Sequence, residues 1–200
     1  MRSPDEAKRN PGAGVKEAEP FPDFGRRSPA SIRATIVAAA RSWIGTPYRH
    51  QGALKGVGCD CLGLLVGVWH EVRPPCDAAR LDRELRIPPY TPDWAEAAGR
   101  ETFAEGLGDW LEEIDMAEAR EGDIVLFRWR AHLPAKHAGI LTARDRMVHA
   151  QEGARVAEVA LSAWWRRRVA FGFSVTGAHG VQFAATAQSD ELPAPLPTLR

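Results

Sequence analysis

Cysteine is scarce in this chain: three in 200 residues, at positions 59, 61 and 76. So small and odd a set excludes the disulfide framework of a small secreted domain and fits synthesis in a reducing compartment. Long apolar runs are missing too. No stretch approaches the roughly 20 residues that span a bilayer. Met1–Pro20 alternates charge with Pro and Gly and lacks the apolar centre of a secretory signal. The expectation is a protein made soluble in the cytoplasm, which something else must carry if it acts outside. Net charge is absent as well, since 26 Lys and Arg balance 26 Asp and Glu, and with it goes the general electrostatic reason to expect nucleic acid as a partner. The balance is uneven along the chain. Residues 71–121 hold 14 acidic against 6 basic residues, and residues 128–168 hold 9 basic against 3 acidic. Two solvated faces of opposite sign account for this; attraction of an acidic substrate or partner to the basic half is the sharper alternative. There is no internal repeat.

What is present sorts into one substantial domain with tails, as 200 residues allow. Residues 1–27 are rich in Pro, Gly and charge without periodicity and read as a disordered or partner-docking arm. Ser28-Pro29 is a helix start, a capping hydroxyl before a first-turn proline, and Ile32, Ile36, Val37, Ala40, Trp43 and Ile44 then form an apolar stripe that Gly45 ends. A second helix begins near Cys61, where the glycine-bearing stretch 45–58 gives way to Leu64, Leu65, Val68, Trp69 and Val72, and the two helices should pack together. Residues 73–121 read as an irregular insertion broken by prolines, with one or two short helices, the helical stretch lying around Trp94–Phe103. Strands are expected at Asp123–Phe127 and near 137–142, 146–150, 154–160 and 169–175, closely spaced with polar turns and therefore antiparallel. The fold class is α+β, with the domain over 28–175 and a loose tail over 176–200.

Chemistry concentrates at Gly58-Cys59-Asp60-Cys61-Leu62-Gly63-Leu64. Cys61 sits where the helix begins. Unpaired N–H groups and the positive end of the helix dipole favour a thiolate there, and such sites lower a thiol pKa from about 8.5 to roughly 3.5–7.5. A thiolate needs a proton acceptor, and two of the six histidines lie in short apolar strand-like segments: His137 in His-Ala-Gly-Ile-Leu and His149 in Arg-Met-Val-His-Ala. Neighbouring strands would put one imidazole beside the other, a base and its orienting partner.

Taken in order, Gly45-Thr46-Pro47-Tyr48, the cysteine motif, Glu121-Gly122-Asp123, Lys136-His137-Ala138-Gly139-Ile140 and Val148-His149-Ala150 resemble the NlpC-type cell-wall peptidases, which are papain-like cysteine enzymes. The resemblance covers roughly residues 31–175. It is nearest to the branch encoded with phage and gene transfer agent tails, where an extended Gly-Thr-Pro-Tyr-Arg-His-Gln motif, the cysteine motif and a Tyr-x-x-Asp-Trp element, here Tyr90 to Trp94, occur together. The resemblance implies the papain-like NlpC fold, with N-terminal helices on an antiparallel sheet. It also implies hydrolysis of amide bonds in peptidoglycan stem peptides, commonly between D-γ-glutamate and a diamino acid, with no cofactor. Cys61 then matches the nucleophile, His137 the base and His149 the polar third member, while Tyr48 matches a tyrosine whose hydroxyl lies near the nucleophile. Asp60, Leu62 and His50, with Tyr48, are then the candidates for substrate binding or oxyanion support. Most relatives carry serine where this chain has Leu62, a change that leaves the backbone N–H free to hold an oxyanion. Delivery by a phage-like tail, with the two arms docked on a tail hub or tip protein, is the partner expectation. The rival is a tail structural or adaptor protein with a vestigial site, and a third reading keeps the thiolate but turns it to acyl transfer or deamidation.

Other readings compete at single positions. Cys59 rivals Cys61, but it sits in the turn before the helix and reads as a small buried residue or as one open to oxidation beside its neighbour, and Cys76 as structural or exposed. Zinc held by Cys59, Cys61, Cys76, His50 and His70 fits poorly, because structural zinc sites pair cysteines two to four residues apart. His70 reads as a solvated helix residue, and His132 and His179 as loop residues. Trp164-Trp165-Arg166-Arg167-Arg168 reads as a packed aromatic edge rather than a nucleic-acid or membrane patch.

Overall fold

Ser28 and Pro29 open the first helix in the way their residue types dictate. Ser28 is extended, its hydroxyl accepts the Ser31 N–H at 3.3 Å, and α1 runs over Pro29–Ser42 with Ile32, Ile36, Val37 and Ala40 buried. The computed structural model describes residues 28–72 and 89–176. The arm 1–27, the tail beyond Thr176 with His179, and positions 73–88 of the insertion with Cys76 lie outside the described residues.

A short antiparallel hairpin, β1 (Ala53–Leu54) and β2 (Gly58–Cys59), precedes α2 (Cys61–Val72), which begins at the cysteine as the sequence indicated. The two helices pack together through Ile36, Ala40, Trp43, Leu64 and Val68, and Trp43 Nε1 donates to Glu71 Oε1 at 3.0 Å. The short helical segments expected around Trp94–Phe103 are two, α3 (Trp94–Ala98) and α4 (Thr102–Gly108). Gly99 separates them in the left-handed region at φ 62°, a helix-ending conformation that costs glycine little.

The sheet comprises β3 (Glu112–Ile114), β4 (Ile124–Phe127), β5 (His137–Ala143), β6 (Arg146–His149), β7 (Ala157–Ala160) and β8 (Val169–Ser174). A short helix, α5 (Ala163–Arg166), leads into β8. The spatial order is β3-β8-β4-β5-β6-β7 with every pair antiparallel, so the last strand returns to fill the gap between β3 and β4. The domain is thus the expected α+β arrangement of helices on an antiparallel sheet. Strand β7 starts later than expected because Arg155 and Val156 pair with Pro47 and Thr46 instead of with β6.

Helices α1 and α2 cover one face of the sheet through Ile124, Leu126, Ile140 and Val148. A smaller cluster of Val125, Phe127, Leu141, Met147, Leu161 and Trp165 closes the other. Burial on both faces explains why β4 and β5 read as unbroken apolar runs rather than alternating ones. Among the described residues no helix is long and apolar enough to cross a membrane.

Candidate active site

Asp60 builds the turn that presents Cys61. Its Oδ1 accepts the Gly63 N–H at 2.8 Å, the cap of α2, and its Oδ2 accepts the Gln51 N–H at 2.7 Å and the Tyr90 hydroxyl. The pre-nucleophile loop lies hard against the helix: a Cβ on Gly63 would fall 1.8 Å from the Gly52 carbonyl oxygen, so no larger residue fits there. Cys61 is half-buried, and Cys59, fully buried on β2, is a core residue as its turn position suggested.

The Cys61 sulfur rests on the main chain flanking His137. The thiol donates to the Lys136 carbonyl at 3.8 Å, and the N–H groups of Ala138, Leu62 and Cys61 are directed at the sulfur. At the strand level, Gly139 is the ladder partner of His149. With no side chain at that position, His137, two residues along on the same face, reaches across to His149. Its Nε2 lies 2.9 Å from His149 Nδ1, and both rings are 5% exposed. With the shared proton on His137 Nε2, donated to His149, the Nδ1 of His137 keeps its lone pair and can serve as a base.

The electrostatics differ from the sequence expectation of a thiol poised to ionise. Burial, and after it the Asp60 carboxylate, push the Cys61 thiol up to about 12 against the opposing pull of the three N–H groups. The positive end of α2 that would favour a thiolate is already occupied by Asp60, a carboxylate at the cap. Burial pushes His137 down to about 3, assisted by His149, and burial pushes His149 down to about 4. The resting pair is therefore neutral thiol and neutral imidazole.

Two neutral buried histidines make folding stability depend on pH. In the unfolded chain both take a proton near pH 6.5, whereas in the fold they withhold it until about 3 and 4. Below 6.5 the unfolded state binds up to two more protons, so stability falls as pH falls, by up to about 2.7 kcal/mol per pH unit. Urea midpoints measured from pH 7 to pH 5 should show this slope, and His137→Gln should flatten it by about half; an unchanged slope in the variant would contradict the neutral-pair assignment.

Around the core of the site, Tyr48 is half-buried, its N–H donates to Ala154 O at 3.1 Å, and its backbone forms a bridge with Cys59. Burial, then Asp60 and Cys61, push its hydroxyl up to about 12, keeping it a donor. The Leu62 N–H is directed at the Cys61 sulfur. His50 is exposed and turned to the insertion rather than to the sulfur: its Nε2 is 2.8 Å from the Tyr90 carbonyl, and its Nδ1 is 3.6 Å from Asp60 Oδ2.

Four contributing residues are not evident as such from sequence. Tyr90 reaches Asp60 with its hydroxyl and takes hydrogen bonds on its carbonyl from His50 and, at 2.7 Å, from Gln51 Nε2. Its place in the Tyr-x-x-Asp-Trp element is the available signal. Glu96 of α3 meets Lys136 at 2.7 Å, so the insertion grips the site on the histidine side as well. Trp129 and Trp165 stack on His137, each with ring centroids 5.4 Å away. The Trp164–Arg168 cluster is the packed aromatic edge expected of it, with the Arg168 guanidinium 3.8 Å over the Trp164 ring.

Comparison with known proteins matches the NlpC/P60 family model to residues 45–172. Among solved structures, a lipoprotein-like member of the NLP/P60 family from Staphylococcus aureus subsp. aureus Mu50 is 21% identical, with 81% of this chain and 45% of that one covered and a TM-score of 0.49. The NlpC/p60 domain of the peptidoglycan hydrolase SagA is 24% identical, with 71% and 97% covered and a TM-score of 0.45. A family protein from Bacillus cereus ATCC 10987 is 16% identical, with 70% and 39% covered and a TM-score of 0.47. This chain thus spans less than half the length of the first of these relatives. No curated protein matches it.

Proposed function

The chain belongs to the NlpC/P60 family, matched over residues 45–172, and from that premise we propose that it is a cysteine peptidase cleaving amide bonds in peptidoglycan stem peptides. The observation that carries the reading is the seat of Cys61: a half-buried thiol at the head of α2, against the main chain on either side of a histidine whose imidazole is bonded to a second histidine.

In this mechanism the Cys61 thiol leaves the Lys136 carbonyl and gives its proton to Nδ1 of His137 as the sulfur attacks the scissile carbonyl carbon. Proton transfer accompanies attack because the resting pair is neutral. The carbonyl oxygen takes up the displaced electron pair and is held by backbone N–H groups of the Cys61–Leu62 turn, with the Tyr48 hydroxyl as a further donor. The tetrahedral species collapses, the C–N bond breaks, and His137 returns the proton to the leaving amine. Water then attacks the thioester with His137 as base, releasing a carboxylate and restoring the thiol. His149 fixes the ring and tautomer of His137 throughout.

The finer reading takes the bond between D-γ-glutamate and a diamino acid as the target, and a phage-like or gene transfer agent tail as the vehicle. It rests on the motif series that ends in Tyr90–Trp94, and it assigns the arms 1–27 and 176–200 to docking on a tail hub or tip protein, the peptidase domain to 28–175 and an insertion to 73–121. Synthesis in the cytoplasm and action in the envelope follow from that delivery.

The test is digestion of purified peptidoglycan of known stem composition, with the fragments identified by mass. Hydrolysis adds one water per cut and leaves a new amine on the diamino acid. Products carrying an acyl group elsewhere would move the reaction to transfer, and no soluble product at all would leave the adaptor role.

A further inference from the structure

The proposed reaction passes through an imidazolium on His137, and among the described residues no carboxylate is bonded to that ring. Its hydrogen-bonded partner there is His149, an uncharged ring, and the His137 side chain is 5% exposed, so water contributes little. What faces the ring instead is aromatic. Trp129, from the loop after β4, stacks on it with centroids 5.4 Å apart and planes 28° apart, and Trp165, from α5, stacks at 5.4 Å and 23°. Phe127 of β4 closes a further side at 6.0 Å. The two tryptophans lie 6.0 Å from each other, so their faces form a corner around the imidazole. Trp165 also meets His149 edge-on at 5.1 Å.

The geometry points to Trp129 and Trp165 as positioning residues that supply the missing counter-charge: their ring faces stabilise the His137 imidazolium in the place a carboxylate would take. A cation within about 6 Å of an indole face is attracted by the ring quadrupole, most strongly for tryptophan and most of all when water is excluded. Of the titratable groups near His137, His149 on β6 is bonded to its ring and Cys61 at the head of α2 rests on the main chain flanking it; the Lys136 ammonium next to it in sequence is paired with Glu96. Neither tryptophan titrates, so the aromatic corner favours the charged base at every pH, against the desolvation that disfavours it.

This inference deepens the proposed mechanism and rests on Cys61 and His137 acting as a pair, yet its test needs no peptidoglycan. The rate of Cys61 alkylation by iodoacetamide, in which an S–C bond forms and iodide leaves, is followed from pH 5 to pH 10 on the full chain. The other cysteines are separated by peptide mapping. Thiolate made by proton transfer to His137 gives a pH-independent rate at low pH, and thiolate made by ordinary ionisation gives a limb rising at high pH. Trp129→Leu should lower the low-pH rate about tenfold and leave the alkaline limb unchanged, and Trp129→Phe should lower it only about threefold.

Equal low-pH rates in the wild type and Trp129→Leu would overturn the inference. So would an equal fall in both limbs, which a change of access or packing alone produces. Should Trp129→Leu not fold, Trp129→Phe decides by itself, with a fall of about threefold confined to the low-pH rate expected and no fall contradicting it. Absence of peptidoglycan cleavage with this pattern intact would sink the substrate and spare the ring pair.

Discussion

Asp123→Ala is expected to cost about 3–5 kcal/mol of folding stability, the range for breaking a buried ion pair by removing one partner. Asp123 is wholly buried, and its Oδ1 takes the Arg33 guanidinium of α1 at 2.5 Å. The same carboxylate accepts the N–H groups of Arg120 at 2.8 Å and Val175 at 3.3 Å, while Arg33 also bonds Ser174, Thr176 and the Glu121 carbonyl. One carboxylate therefore ties the first helix, the entry to β4 and the exit of β8. Its removal strands a guanidinium and two N–H groups, each with its own desolvation cost. Against the roughly 5–15 kcal/mol that hold an ordinary domain, the variant should lose about a fifth or more of its stability. Urea unfolding measures this directly, and a loss under about 1 kcal/mol, the range of an exposed pair, would show that the pair holds nothing together. The position lies far along the chain from Cys61, so activity measured well below the melting transition should survive better than stability does.

The parts of the fold that sequence reveals are those written in local pattern. Ser28-Pro29 with its stripe locates α1, and the shift from glycine-bearing loop to apolar periodicity locates the first residue of α2. β5 and β6 are legible as short apolar segments between polar turns, and with them the histidines they carry. What sequence hides depends on partners distant in the chain. The acidic Glu112-Glu113 of β3 has no strand signal of its own and is a strand because β8 pairs with it. The hairpin of β1 and β2 is only two residues a side, and α5 a single turn. Residues 154–156 read as part of β7 but are claimed by Gly45–Tyr48.

At the site, residue types announce Cys61, His137 and His149 as candidates, and the structure brings the histidines into contact and the cysteine to the flanking backbone. Their charge state is not legible in the sequence. A helix start suggests a stabilised anion, but only coordinates reveal that Asp60 fills that role and that burial opposes charge on the sulfur and both rings. Tyr90 and the Trp129–Trp165 corner are out of reach for the same reason, since each is made by contacts between elements 30 or more residues apart.

Cys61→Ala bears on the central claim most directly, because it deletes one sulfur and little else. Losing the nucleophile of such a set commonly removes catalysis down to a background owed to the oxyanion donors and binding alone; a fall of at least about a thousandfold in fragment release is expected. Stability should change by no more than about 1 kcal/mol, since the thiol is half-buried and makes one long hydrogen bond at 3.8 Å. Ala at the first position of α2 keeps the helix, and the Asp60 cap does not depend on the sulfur. The deciding measurement is soluble stem-peptide release from purified sacculi by wild type and Cys61→Ala at matched concentration, with unfolding curves for both. The account predicts release by the wild type and none above background by an equally folded variant. Comparable release by Cys61→Ala would contradict it.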